Sequence, residues 1–271
     1  MELMGGELMA LAGQVAIVTG GASGLGLSVV KKLVENHTSV AIVDLSREEG
    51  MQQESFLRDR GYDVKFFSAD VTKQEIAKQT VTDIVNYFGK VNMLVNSAGV
   101  IRRTAASALP GEELDWILST NLQGTVHMCQ AVYPYMADSG CGSIVNFASM
   151  LAHYGSKNLL SYAASKGGIV QITKCLAVEW ADHGIRVNAI SPGYIETALA
   201  KGATQDPQFR ERILSRTPQN RFGKPEEIAK VVKFLLSDEA SFITGVILPV
   251  DGGLLAGDPS LYPPVTQIQY S

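Results

Sequence analysis

A glycine-rich turn between a strand-like run and a helical run constrains the fold of this chain most strongly. Residues 14–19 are apolar and β-branched, as in a buried strand, and residues 24–36 repeat leucine and valine at helical spacing. Glycine lets the backbone turn sharply, and a helix N-terminus offers free N–H groups and partial positive charge. The pattern therefore predicts a site for the phosphates of a dinucleotide, with a merely flexible turn as the alternative. The turn reads Thr19-Gly20-Gly21-Ala22-Ser23-Gly24-Leu25-Gly26.

Strand-like and helix-like segments alternate along most of the 271 residues. Seven strands alternating with helices predict an α/β fold, a single-domain Rossmann-like doubly wound sheet of seven parallel strands flanked by helices. The later strands are predicted at 40–44, 64–68, 91–95, 143–147, 185–190 and 246–250, and the main later helices at 112–136, 161–181 and 225–237. The domain spans 1–271, with an N-terminal extension at 1–12, a substrate lid at 198–224 and an extended C-terminal tail at 254–271.

Two helix starts carry the pattern of a capping box, in which a side chain at each end of the first turn bonds the other's backbone. Ser46 is followed three residues later by Glu49, and Thr72 is followed by Glu75 in the same way. The pattern predicts that the serine and threonine hydroxyls cap these two helices.

The composition argues against several classes of function. A hydrophobic content of 46% with 18% charged residues describes a globule with a sizeable core, and a net charge of −4 without a basic run argues against nucleic-acid binding. The start of the chain lacks the basic residues of a signal peptide, and no apolar stretch reaches membrane-spanning length. Three cysteines and four histidines show no metal-binding spacing. We therefore expect a cytoplasmic protein with reduced thiols and no metal site.

Four polar side chains downstream of the glycine turn have the types and order that hydride transfer between a carbonyl and an alcohol needs. They are Asn121, Ser149, Tyr162 and Lys166. Tyr162 and Lys166 are four residues apart, so they share one face of a helix. An ammonium beside a phenol lowers the phenol's pKa from about 10 toward working pH, as an acid–base group requires. A lone tyrosine or serine near a core is more often structural, but the four in order favour a catalytic site.

Candidate binding residues recur where the predicted strands end. In a doubly wound sheet the ligand lies beyond the carboxyl ends of the strands. Asp44 follows Gly26 by 18 residues, close to the spacing of a carboxylate that bonds both ribose hydroxyls and repels a 2′-phosphate. Ser23 supplies no basic group for such a phosphate, so NAD(H) is favoured over NADP(H). One candidate ends or follows each of the first six strands: Gly20, Asp44, Asp70, Asn96, Ser149 and Pro192.

From about Leu11 to Leu255 the chain resembles the short-chain dehydrogenase/reductase family. The motifs that carry the resemblance are the glycine turn, Asp70-Val71, Asn96-Ser97-Ala98-Gly99, the catalytic quartet, Pro192 to Thr197, and Asp251-Gly252-Gly253. Ser97 departs from the family pattern, which has asparagine there. The resemblance implies that NAD is bound by Gly20, Ser23, Gly24, Leu25, Gly26, Asp44, Leu45, Asp70, Val71, Asn96, Ala98, Gly99, Tyr162, Lys166, Pro192, Gly193, Ile195 and Thr197.

The resemblance also implies roles for the quartet and an assembly. Tyr162 would exchange a proton with the substrate oxygen, and Ser149 would hold that oxygen. Lys166 would lower the pKa of Tyr162 and bond the nicotinamide ribose, and Asn121 would hold a water that links Lys166 to solvent. Related enzymes pair through their long helices, which implies a homotetramer.

Three stretches resemble sugar-acid and polyol dehydrogenases, such as gluconate 5-dehydrogenase and 2-deoxy-gluconate 3-dehydrogenase. They are Ala98 to Arg103, Ala148 to Met150, and Gly193 to Thr197. We expect an NAD(H)-dependent oxidoreductase acting on a secondary alcohol or ketone of a small polar substrate, a sugar acid or polyol. A 3-oxoacyl-thioester reductase and a non-catalytic nucleotide-binding scaffold are the alternatives. Either Arg102 or Arg103 could bind a carboxylate of the substrate. The predicted substrate site offers polar side chains rather than a continuous apolar wall. The predicted substrate residues are Ser149, His153, Tyr194 and Arg102.

Overall fold

The computed structural model describes residues 11–197 and 206–259. Its strands are β1 (Val15–Thr19), β2 (Ser39–Asp44), β3 (Val64–Ser68), β4 (Met93–Asn96), β5 (Gly142–Phe147), β6 (Ile185–Pro192) and β7 (Ile247–Val250). All pairings are parallel, in the order β3-β2-β1-β4-β5-β6-β7. The predicted seven-stranded doubly wound fold is confirmed. The order reverses between β1 and β4, which is where such sheets open a crevice for ligands.

Helices cover both faces of the sheet. They are α1 (Gly24–Val34), α2 (Arg47–Arg58), α3 (Gln74–Phe88), α4 (Gly111–Leu118), α5 (Gly124–Ser139), α6 (Leu160–Glu179), α7 (Pro207–Arg216) and α8 (Pro225–Leu236). On one face, Leu33 of α1 and Val232 of α8 belong to the same buried apolar cluster. On the other face, Ile84 of α3 and Met128 of α5 do the same. The central strands are buried on both sides, which explains their continuous apolar sequences.

The helix predicted at 112–136 is interrupted. Between α4 and α5 the chain forms one π-helical turn, Ser119–Gln123, that contains Asn121. The side chain of Asn121 accepts from the backbone N–H of Val100 at 2.7 Å and donates to the carbonyl of Val100 at 2.9 Å. Such bulges in a helix are frequent at functional sites, because they redirect a side chain without ending the helix.

Neither predicted capping box forms. Ser46 is the N-cap residue of α2 but its side chain makes no capping bond, and α3 begins after Lys73 rather than after Thr72. Aspartates hold these turns instead. Asp44 Oδ1 accepts from the N–H of Ser46 at 3.0 Å, and Asp70 Oδ1 accepts from the N–H of Thr72 at 2.9 Å.

The predicted lid contains a helix that the sequence did not indicate. Helix α7 begins with Pro207, and the carboxylate of Asp206 accepts from the N–H groups of Gln208 and Phe209. Residues 198–205 of the predicted lid lie outside the described part of the chain, as do 1–10 and 260–271 of the two predicted ends. Leu11 and Leu254 are both buried, so the fold includes the inner margins of the extension and the tail.

Arg186 of β6 holds the end of α8. Its guanidinium donates to four carbonyl oxygens, at distances of 2.8 to 3.3 Å. Burial lowers the pKa of this arginine, and the acceptors offset part of the cost of removing its charge from water. The last carbonyls of a helix have no partner within the helix, so β6 supplies one. The acceptors belong to Leu235, Leu236, Ser237 and Ile243.

In the described ranges, the structure contains no helix that is long and apolar enough to cross a membrane.

Candidate active site

A cleft of about 1040 Å³ opens at the carboxyl ends of the strands, where the strand order reverses. It brings together most of the residues that the sequence singles out. The predicted residues that line it are Gly20, Ser23, Gly24, Leu25, Gly26, Asp44, Leu45, Asp70, Val71, Ala98, Gly99, Ser149, Tyr162, Lys166, Pro192, Gly193, Tyr194, Ile195 and Thr197. Four others, Asn96, Asn121, His153 and Arg102, do not line it.

The glycine turn presents bare backbone to the cleft. Gly20 has φ +65°, and a Cβ there would lie 2.9 Å from the Cα of Ala98. Gly24 has φ +55°, and no atom lies within 4 Å of the place its Cβ would take. The Ser23 side chain does not cap α1, so the first N–H groups of that helix keep their capacity for a ligand. This cradle fits the pyrophosphate of a dinucleotide.

Thr19 joins the two strands that flank the cleft, a role that sequence reasoning missed. Its Oγ1 accepts from the N–H groups of Ser97 at 3.2 Å and Ala98 at 3.1 Å, and donates to the carbonyl of Val95. The loop after β4 is thereby fixed against the end of β1. A threonine at the end of an otherwise apolar strand is the sequence feature that could have indicated this role.

Asp44 stands between the glycine turn and the loop after β2. Besides the bond from Ser46, its Oδ2 accepts from the N–H of Ala22 at 3.1 Å. Each oxygen has a second lone pair, so the carboxylate can still accept from ribose hydroxyls. The two bonds fix its orientation at the wall of the cleft.

Tyr162 and Ser149 both line the cleft and lie close enough for their side chains to interact. Burial raises the pKa of Tyr162, while the hydrogen bond with Ser149 and the positive charge of Arg103 act in the opposite direction. Ser149 is further oriented by a bond from the N–H of Leu151 at 3.2 Å. The arrangement can hold one substrate oxygen between two hydroxyl groups.

In this structure the hydrogen-bond partner of Lys166 is a backbone carbonyl rather than the hydroxyl of Tyr162. The Lys166 Nζ lies 5.7 Å from the centroid of the Tyr162 ring and donates to the carbonyl of Phe147 at 2.6 Å. Burial lowers the pKa of Lys166 to about 8. The carbonyl, rather than the phenol, is the direct partner of the ammonium, so the opposing influences on Tyr162 come from Ser149 and Arg103.

Asn121 does not line the cleft but contacts α6, the helix that carries Tyr162 and Lys166. It is buried, and its Nδ2 donates to the hydroxyl of Ser165 at 3.1 Å, which in turn donates to the carbonyl of Tyr162 at 2.7 Å. The π-helical turn is thereby connected to the turn of α6 that carries Tyr162. Ser165 is a positioning residue that the sequence analysis did not single out.

Three predicted contacts are directed elsewhere. Asn96 ends β4 with its side chain in the interior, where Nδ2 donates to Asn146 Oδ1 at 2.9 Å, so it supports the sheet beneath the cleft. His153 Nε2 lies 2.9 Å from the hydroxyl of Ser191. Arg102 lies 3.9 Å from the Glu113 carboxylate with its guanidinium 5.1 Å from the Trp116 ring centroid, and it does not line the cleft. Arg103, the next residue, lines the cleft instead.

Comparison with known proteins decides the family. Residues 20–255 match the family profile described as enoyl-(acyl carrier protein) reductase. A 3-oxoacyl-(acyl-carrier-protein) reductase of Thermotoga maritima is 38% identical over 250 residues, which cover 91% of this chain and 100% of that protein. The chain belongs to the short-chain dehydrogenase/reductase family.

Two solved structures of sugar-related enzymes are similar to this chain in sequence and fold. Gluconate 5-dehydrogenase from Burkholderia cenocepacia, in complex with NADP and tartrate, is 30% identical with a TM-score of 0.89, covering 93% of this chain and 99% of that one. NAD⁺-bound xylitol dehydrogenase is 34% identical with a TM-score of 0.86, covering 90% and 99%. The sequence-based likeness to gluconate 5-dehydrogenase is confirmed.

Membership of this family makes the chain an oxidoreductase that uses a nicotinamide cofactor, which accepts or donates hydride when bound. The glycine turn and Asp44 would hold the adenosine and pyrophosphate parts. Pro192, Gly193, Ile195 and Thr197, which line the same cleft, would hold the nicotinamide end.

The end of the cleft beside Tyr162 is more apolar than the sequence suggested. Behind Tyr162, a buried apolar cluster consists of Met150, Leu151, Leu159 and Leu254. All four also line the cleft, because loops around the substrate end bring them together. Polar side chains enter from the outside instead, on the loop after β4, on residues 156–158 and on α7. The basic ones are Arg103, Lys157, Arg212 and Arg216.

Proposed function

We propose that the protein is an NAD(H)-dependent dehydrogenase that interconverts a secondary alcohol and a ketone on a small polar substrate, a sugar acid or polyol. The observation that carries the proposal is the pairing of the Tyr162 and Ser149 hydroxyls on the cleft wall, with Lys166 held beside them.

The residues divide the work of the reaction. Ser149 donates a hydrogen bond to the reacting oxygen and keeps it beside the Tyr162 hydroxyl. In reduction Tyr162 gives its proton to that oxygen, and in oxidation it takes the proton back. Lys166, fixed on the carbonyl of Phe147, supplies positive charge near the tyrosinate and a donor for the ribose. Asn121 and Ser165 keep the first half of α6 in place.

Preference for NAD(H) rests on Asp44. A carboxylate fixed at the wall favours two free ribose hydroxyls and repels a phosphate in their place. We expect kcat/KM with NADH to exceed that with NADPH at least tenfold. Asp44→Ala should narrow the ratio, while Asp63→Ala, which removes a surface carboxylate bonded to Ser39, should leave it unchanged. Equal use of both cofactors by the unaltered enzyme would contradict the proposal.

A sugar acid or polyol is supported by the likeness to gluconate 5-dehydrogenase and xylitol dehydrogenase. One observation favours a second candidate, the reduction of a 3-oxoacyl thioester. The apolar cluster of Met150, Leu151, Leu159 and Leu254 could accommodate an acyl chain, and the Thermotoga maritima relative carries that name.

One assay separates the two candidates. NAD⁺ reduction is followed by absorbance over a panel of hexonic acids, polyols and simple alcohols, and NADH oxidation is followed with acetoacetyl thioesters and longer 3-oxoacyl thioesters. A higher kcat/KM for a sugar derivative supports the first candidate. A preference for long 3-oxoacyl thioesters over every sugar derivative would establish the second.

A further inference from the structure

We propose that Arg103, Arg212 and Arg216 form a site for an anionic group of the substrate, a carboxylate or a phosphate, at the outer edge of the cleft. The inference rests on the proposed function to the extent that it concerns the substrate of the same cleft. We call these three residues the arginine cluster.

The arginine cluster is assembled from two separate parts of the chain. Arg212 and Arg216 lie four residues apart on α7, so they project from the same face of that helix. Arg103 comes from the loop after β4, and all three side chains line the same cleft. Two unrelated segments therefore direct guanidinium groups toward one space.

Two members of the cluster, Arg103 and Arg216, lie close to the tyrosines of the cleft. Arg216 and Arg103 both oppose the rise in pKa that burial causes at Tyr194, and Arg103 does the same at Tyr162. The guanidinium of Arg216 also lies 5.7 Å from the ring centroid of Tyr154. The positive charge is therefore placed beside the proton-transfer residue. This positive charge lies near Tyr154, Tyr162 and Tyr194. The part of the cleft that would hold the adenosine ribose instead carries the negative charge of Asp44.

No acidic side chain in the described ranges forms an ion pair within 4.0 Å of the cluster. Glu211 directly precedes Arg212 and forms none of the ion pairs in those ranges either, while two acidic groups close to this part of the cleft have hydrogen-bond partners of their own. Asp206 accepts from the first N–H groups of α7, and Asp251 accepts from the N–H groups of Gly253 and Leu255. By contrast, Arg102 and Arg221 each pair with a glutamate. In a chain of net charge −4, three arginines unpaired in this way around a cleft favour an anion.

Guanidinium groups suit this role because each presents donors in a fork that matches carboxylate and phosphate oxygens. The apolar cluster of Met150, Leu151, Leu159 and Leu254 lines the same cleft, and apolar surroundings strengthen the attraction between charges. A neutral polyol would leave the cluster without a partner, so an acid should bind more tightly than the alcohol of equal length.

The test uses Arg103→Gln and Arg216→Gln with two matched controls. Arg102→Gln changes the neighbour of Arg103 that pairs with Glu113, and Arg210→Gln changes an α7 arginine that lies over the Phe222 ring at 4.9 Å. The substrate probes are gluconate, glucitol and 6-phosphogluconate, measured with saturating NAD⁺. We expect each cluster variant to raise KM for the anionic probes about tenfold or more, and to change KM for glucitol less than twofold. The controls should behave as the unaltered enzyme does.

A binding measurement separates this inference from the proposed function. Tartrate and inorganic phosphate are titrated into the NADH complex by calorimetry, which requires no turnover. One outcome would contradict the proposed function and still support the anion site. In that outcome no sugar derivative is oxidised, but tartrate or phosphate binds, and this binding weakens about tenfold or more in Arg103→Gln and Arg216→Gln. Preference for tartrate identifies a carboxylate, and preference for phosphate identifies a phosphoester. Absence of anion binding to the unaltered enzyme, or equal losses in the cluster and control variants, would overturn the inference.

Discussion

At Tyr162 and Lys166, removal from water acts on two groups of opposite charge. Burial raises the pKa of the phenol and lowers that of the ammonium to about 8, so both neutral forms become easier to reach. The hydroxyl of Tyr162 therefore keeps its proton at neutral pH, which suits a donor in ketone reduction. Lys166 therefore loses its positive charge within the pH range in which enzymes are usually assayed.

Tyr162→Phe should abolish turnover and leave cofactor binding nearly intact. The ring still packs while the proton donor is lost, so kcat should fall at least a hundredfold, the lower end of what a positioned acid–base group contributes, about 10² to 10⁴. NADH fluorescence titration should give a Kd within about threefold of the unaltered enzyme. Tyr133→Phe, which makes the same change beside Trp180 away from the cleft, is the control. Retention of more than a tenth of kcat would exclude Tyr162 as the proton donor.

The pH dependence of reduction should follow Lys166. Because its folded-state pKa is lowered, the ammonium is present below pH 8 and is lost as pH rises through about 8. If the ammonium binds the ribose, kcat/KM for ketone reduction should be level near neutral pH and decline above about pH 8. Initial rates over a pH series in a buffer of constant ionic strength measure this. A decline that begins only near the ordinary lysine pKa, about 10.4, would show that the ammonium is not desolvated in the working enzyme.

At the scale of elements, the connection between β6 and α8 is a point where one side chain supports a whole helix end. Arg186→Met should leave several carbonyls unpaired and cost about 3 kcal/mol, because each buried acceptor without a donor costs about 1 to 3 kcal/mol. In a domain of this size the melting temperature should fall by about 6 to 12 °C. Calorimetric unfolding at neutral pH measures the shift. Arg58→Met, which changes an exposed arginine on α2, should leave the melting temperature nearly unchanged.

The sequence predicts the strands and helices better than it predicts the turns and caps that connect them. The central strands are continuous apolar runs, and β3 and β7 are also rich in apolar residues, so all seven were visible in the sequence. The carboxyl ends of parallel strands had to share one edge of the sheet. The π-helical turn at Asn121 was not visible, since one extra residue hardly disturbs helical periodicity over 112–136. The capping boxes do not form because the carboxylates of Asp44 and Asp70 already accept from the backbone N–H groups of Ser46 and Thr72. Direction was equally hidden, since adjacent arginines 102 and 103 point to different places.

For the whole molecule we propose a homotetramer. Val178 of α6 keeps 82% of its surface exposed and Phe242 is fully exposed at 104%, which is costly for large apolar side chains on a free surface. Light scattering at micromolar concentration should give four times the chain mass of 29.1 kDa. Val178→Asp with Phe242→Asp should reduce that mass, and Lys90→Asp, which alters a surface residue that is already charged, is the control. A monomeric mass for the unaltered protein would contradict the proposal.

The tie that Thr19 makes between the ends of β1 and β4 has a consequence for how activity returns after denaturation. Ala16 pairs with Met93, so the seam under the cleft joins residues 77 positions apart, and Ser149 and Arg216 join the cleft from still later segments. Such long-range contacts form slowly, because closing a long loop comes before any of its contacts can stabilise it. No fragment that lacks either side of the seam can bring these groups together. Recovered catalysis therefore reports completion of the entire sheet, and a chain with most of its helices restored can still be inactive.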